Sequence, residues 1–148
     1  MKGISMHIMF RIFSKYANDK FVDEEDKPFS ALVVNRYASN ILNTALEIIF
    51  SRKSQFVGSK LLAYSLKFVQ SSTKIKQTML VVKPFIESIL YEHIVPIMMV
   101  GETDLALFYD DGIEYIRKQQ DFSDSFYSPR NVAIDLLKVI CSYKSEPK

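Results

Sequence analysis

The sequence holds a single cysteine, Cys141, in 148 residues. One thiol cannot close an intrachain disulfide or build a zinc cluster, so a reducing compartment, cytosol or nucleus, is expected. With 4 glycines and 5 prolines, the chain lacks the punctuation of a turn-rich β protein. A net charge of +2 is too small to demand nucleic acid as a partner. The longest apolar run, Ile94 to Val100, has Pro96 inside it and falls far short of the ~20 residues a spanning helix needs, so no membrane insertion is expected. Lys2 near the start is followed by Ser5, His7 and Arg11, which interrupt any signal-type apolar core. What is present is ordinary for one folded domain: 48% apolar and 24% charged residues, too apolar for intrinsic disorder.

The apolar residues recur at helical spacing throughout. Ile4, Ile8, Ile12 and Phe13 form the first stripe, with Met9 and Tyr16 beside it. Asp26 stands as an N-cap before Pro28, a first-turn proline. Phe29, Leu32, Val33, Tyr37, Ile41, Ala45, Ile48 and Ile49 then run down one long helix. Pro84 and Pro96 bend or end a later one. Ser128 and Pro129 open the last, lined by Val132, Ala133, Leu136, Leu137 and Ile140. The spacing predicts helices over 4–16, 28–52, 57–70, 75–98 and 129–143, with an insertion over 101–127 that holds short helices at Asp104 to Tyr109 and Ile113 to Gln119. The fold class is all-α. A closed bundle and a slice of an α-solenoid both fit, and the unequal helices with one long insert favour the solenoid.

No nucleophile–base pair, glycine-rich phosphate loop or ligand cluster stands out, so no catalysis, metal or cofactor is expected. His7 and His93 each lie inside an amphipathic helix and read as structural or solvated residues, and Cys141 reads as a small packing residue. Asp110-Asp111-Gly112 with Glu114 is only superficially like a calcium loop, because the sixth residue past Gly112 is Lys118, not glutamate.

Charge is segregated. From Ser51 to Lys83 there are seven basic residues and no acidic one, and Lys53, Lys60, Lys67 and Lys74 fall seven apart. That spacing puts Lys60 and Lys67 on one helix face, either a solvated outer face or a ridge toward an acidic partner or nucleic acid. From Glu102 to Phe126 the sign reverses, with Asp110, Asp111 and Glu114 among Phe108, Tyr109 and Tyr115. This block is either a loop pinned by its aromatics or a recognition element for a basic protein.

The run Leu107-Phe108-Tyr109-Asp110-Asp111-Gly112-Ile113-Glu114-Tyr115-Ile116-Arg117 resembles an element of the importin-β superfamily: an aromatic, an acidic pair, Pro, an apolar residue, then Glu-Tyr-Ile-Arg. Phe126-Tyr127-Ser128-Pro129, Cys141-Ser142-Tyr143-Lys144 and His93-Ile94-Val95-Pro96-Ile97-Met98 are similar to the importin-seven/importin-eight branch. The resemblance implies a right-handed α-α superhelix of HEAT repeats, of which this chain would be an internal slice of about two and a half antiparallel helix pairs. It implies a nuclear transport receptor shared between nucleus and cytoplasm, with protein cargo, the Ran GTPase and Phe-Gly nucleoporins as partners. Tyr115 and Ile116 would brace the insertion on its repeat, leaving Asp110, Asp111 and Glu114 to water or a basic partner. Gly112 replaces the proline usual in the family, which would loosen the turn or let φ become positive.

The rival reading is a self-contained helical domain that binds nucleic acid or an acidic protein through the basic 51–83 face. A slice of a solenoid has uncovered end faces, so the isolated chain is expected to self-associate.

Overall fold

The computed structural model describes residues 2–120 and 128–144. Among these, every regular element is helical, so the fold is all-α and HEAT-like. Helix α1 spans Lys2–Tyr16. Its core face is not the isoleucine stripe. Met6 and Phe13 are buried and Phe10 and Tyr16 pack beside them, while Ile4 is 67% and Ile8 53% exposed. Two apolar stripes compete on this helix. The one formed by Met6, Phe10 and Phe13 faces inward.

Helix α2 (Lys27–Leu32), a π-helical stretch (Val33–Tyr37) and α3 (Ala38–Ser51) run end to end as one rod over 27–51. Asp26 does not cap it. The residue has helical dihedrals and no side-chain cap bond, because a 3-10 turn, Glu24–Asp26, feeds straight into α2. Ser30, buried in α2, donates its hydroxyl proton to the Tyr16 carbonyl and so ties this rod to the end of α1.

Helix α4 (Ser59–Ser72) is the centre of the fold. It packs against α1, α3 and the last helix, α10 (Pro129–Lys144). Every residue from Leu62 to Val69 is buried, so α4 has neighbours on all sides and no water-facing stripe over that span. Each large apolar side chain fully buried there contributes about 1.5–3 kcal/mol, and Leu66, Phe68 and Val69 are all 0% exposed. Phe68 meets Phe13 of α1 with ring centroids 4.7 Å apart.

A second rod covers 76–98 and bends repeatedly. It comprises α5 (Lys76–Val82), a 3-10 turn at Lys83–Phe85, α6 (Ile86–Ser88), a π-helical stretch (Ile89–Ile94) and α7 (Val95–Met98). Pro84 lies in the 3-10 turn, and Pro96 follows the wider turn in which the Val95 amide reaches back to Leu90. A proline without an N–H strands a carbonyl one turn earlier, and local changes of helical register accommodate it.

The arrangement has two layers. Helices α1, α4 and α10 form one, with α4 between its neighbours, and the 27–51 and 76–98 rods form the other. The rods meet where Phe50 touches Phe85 and His93 and where Lys53 pairs with Glu92. Between the second rod and α10 the chain makes a helical hairpin, α8 (Glu102–Asp110) and α9 (Gly112–Gln120). No residue of α8 is buried, and in α9 none of the residues up to Gln119 is.

Candidate functional site

The α8–α9 arm is held together by its own chemistry. Asp111 follows α8 with φ −143° and ψ 89°, outside the helical region, and its Oδ1 accepts the backbone N–H of Ile113 at 3.1 Å and of Glu114 at 2.9 Å. That geometry makes Asp111 the N-cap of α9, with glutamate three residues on. Glu114 is paired with Arg117 at 2.6 Å. Gly112 is the first residue of α9, no glycine has a positive φ, and a Cβ at Gly112 would meet nothing within 4 Å. The turn expected to be loosened by Gly112 is instead an ordinary helix start, the position where proline is favoured.

Phe108 packs edge-to-face on Tyr109 and Tyr115, with centroids 5.6 and 5.5 Å apart. Tyr115 therefore braces the arm against itself, and Ile116 is 53% exposed rather than seated on the repeat. At the root, Asp104 lies 3.6 Å from Arg130 at the start of α10. The outer surface of the arm combines Tyr109, Ile113 and Ile116 with Asp110, an apolar and acidic surface. Of the three acids singled out in the sequence, Asp111 caps a helix, Glu114 pairs within its helix, and Asp110 is exposed at the tip.

The basic residues do not form one ridge. Lys60 is exposed at the start of α4, but Lys67 is 8% exposed. Its ammonium lies 5.7 Å from the centroid of the Tyr64 ring, and burial holds its pKa below the usual lysine value, with the Asp135 charge on α10 opposing. Lys53 pairs with Glu92, which also accepts a 2.7 Å hydrogen bond from Ser88. These two contacts hold the Glu92 carboxyl below its ordinary pKa.

Two clefts lie near opposite ends of α4. One, of about 700 Å³, gathers Arg52, Lys60, Lys118 and Arg130 with Asp104 at the root of the arm. The other, of about 680 Å³, gathers Lys20 and Lys27 with Lys74 and Lys76 at the far end. Each draws its cations from separate stretches of chain, which no local sequence pattern signals.

His7 stacks on Tyr64 at 4.4 Å. His93 is fully buried, and neither ring nitrogen has a hydrogen-bond partner among the described residues. Burial is the main cause that holds its pKa down. The charge of Lys53 adds to this, Glu92 opposes it, and Arg52 adds a little. Cys141 is exposed, contrary to the packing role expected of it. Ile140 takes the inward position, and the next residue is turned away from the core. Among the described residues, no group of three His, Cys, Asp or Glu side chains could hold a metal ion, and no helix is long and apolar enough to cross a membrane.

A family model described as Cse1 matches residues 21–146. Importin-8 of Danio rerio is 29% identical over 137 residues, which cover 92% of this chain and 13% of that protein. Importin-8 of Homo sapiens is 27% identical over 146 residues, 98% of this chain and 14% of that protein. The importin beta-like SAD2 homolog of Arabidopsis thaliana is 24% identical over 132 residues, 88% of this chain and 13% of that protein. The chain thus spans about one seventh of the length of the relatives it matches. No solved structure matches it.

Proposed function

The chain belongs to the Cse1 family of importin-β-like proteins, and from that premise we propose that it forms one segment of a nuclear transport receptor, a non-catalytic scaffold that works by binding. The family match across 21–146, laid over a two-layer stack of helices with a projecting arm, carries this reading. The parent function is transport of protein cargo through the nuclear pore under Ran-GTP control, with Phe-Gly nucleoporins touched on the way. The localisation that follows is nucleus and cytoplasm, with passage through the pore.

Within the segment, the arm is the contact element. Asp110 and the exposed Tyr109 and Ile113 meet a partner with basic and apolar side chains, while Asp111 and Glu114 keep the arm folded. Loops and hairpins on a rigid scaffold are common carriers of recognition, and exposed apolar patches mark contact sites. The test is a pull-down with immobilised chain, using Ran loaded with GTP or GDP and Phe-Gly peptides. Capture of the GTP form or of the peptides, reduced by Tyr109→Ser with Asp110→Lys, is expected. Capture of neither by the wild-type chain would remove the partner assignments from this segment.

A further inference from the structure

We infer that the cleft formed by the α1–α2 connection, α2 and the α4–α5 turn is a docking site for an acidic, extended polypeptide segment. This goes beyond the transport reading and does not depend on it. Lys20 and Lys27 come from one stretch of chain, Lys74 and Lys76 from another some fifty positions on, and the fold brings all four to one cleft. All four lysines are exposed. Among the residues whose side chains are described, a set that does not include Asp19, none that lines the cleft is acidic. Glu24, outside the lining, pairs with Lys27 and has its side chain 86% exposed.

The lining selects the ligand class. Its apolar part is small and aliphatic, Ala17, Ala31, Val34 and Ile75, and it has no aromatic residue. Single-stranded nucleic acid is held by stacking its bases on aromatic side chains, and nothing here offers that. The cations are lysines, compact point charges on flexible stems, not the planar forks that match phosphate in two-point contacts. Such charges suit carboxylates at variable spacing along a peptide. Asn35 and Gln77, both exposed in the lining, can donate to and accept from the main chain of an extended segment. A volume of about 680 Å³ falls within the range of ligand clefts.

The position also separates this site from the other basic cluster. Lys60 and Lys74 bracket α4, whose 14 residues set them about 20 Å apart. That is beyond a Debye length at physiological salt, so the two ends act independently.

The experiment is fluorescence anisotropy on the full chain with a labelled peptide of alternating glutamate and alanine. Single-stranded RNA of equal charge and inorganic phosphate serve as competitors. The peptide is expected to bind at low salt and to weaken as salt rises. Lys74→Glu with Lys76→Glu should weaken it by about ten-fold or more, because two attractions become two repulsions. Lys60→Glu at the opposite end should leave it unchanged. A melting curve checks that the double variant folds, and if it does not, Lys20→Glu decides on the same terms. Wild-type affinity in the folded charge-reversal variants, displacement by RNA at lower concentration than by unlabelled peptide, or no peptide binding at low salt would overturn the assignment.

Discussion

Phe50 meets His93 edge to face, with centroids 4.9 Å apart and planes at 78°. The contact joins the 27–51 and 76–98 rods at a point where a fully buried imidazole has no hydrogen-bond partner for either nitrogen among the described residues. A neutral ring tolerates that setting at a modest cost, and a charged one does not.

Acid should therefore loosen the contact between the rods. The folded pKa of His93 is lowered, first by burial, so the unfolded chain binds its proton more readily. Stability is complete above the unfolded value of about 6.5, declines by up to ~1.4 kcal/mol per pH unit as pH falls below it, and stops declining below the folded pKa. His93→Leu removes the titration and two unpaired polar atoms, so it should be neutral or stabilising. Urea melts of both proteins across pH 5 to 8 check this. Parallel pH profiles would sink the explanation.

The neighbouring acids of the arm should behave differently. Asp111→Ala removes a cap that satisfies two backbone N–H groups and should cost about 1 kcal/mol. Asp110→Ala should cost almost nothing. Hydrogen exchange of the α9 amides separates the two, and equal protection in both variants would contradict the capping role.

Gly112→Pro should stabilise the arm by about 0.4–1 kcal/mol. The position is the first of a helix, with nothing within 4 Å of an added Cβ, and the unfolded chain loses freedom. Slower exchange of the α9 amides is the expected signature, and faster exchange would show that the turn resists φ near −65°.

Core and end face should also separate. Leu136→Ala, at a fully buried site on α10, should cost about 2–5 kcal/mol and lower the melting temperature of the whole chain. Ile4→Ser with Ile8→Ser, on the exposed face of α1, should change stability little. It should reduce self-association in sedimentation velocity, because an uncovered apolar stripe drives helix stacking. A monomeric wild-type chain would remove the premise of that last prediction.

The helical period was legible from end to end, because apolar spacing reports an amphipathic helix directly. The facing of a helix was less so. On α1 two stripes of similar strength were present, and the choice between Ile4-Ile8-Ile12 and Met6-Phe10-Phe13 depends on the groove offered by α4, which lies far along the chain. The seven-residue spacing of lysines suggested a solvent face, but a helix in the middle of a layer has none, so Lys67 is covered. Periodicity counts positions and cannot count neighbours. Asp111 carries a readable signal, an acid three residues before Glu114 at a helix start, although the resemblance assigns it to water or a basic partner. The four-lysine cleft had no local signal, since two of its cations belong to a segment rich in acids and two to a segment without any.

The arm packs its aromatics on one another, and its described residues bury no side chain in the scaffold. Substitutions on its outer surface are consequently almost invisible to the free energy of the stack. If the arm is the contact element proposed above, recognition and foldedness become separately adjustable quantities: the surface of the hairpin can be rewritten without renegotiating the core, while the same freedom is denied to α4, where every residue from Leu62 to Val69 answers to several neighbours at once.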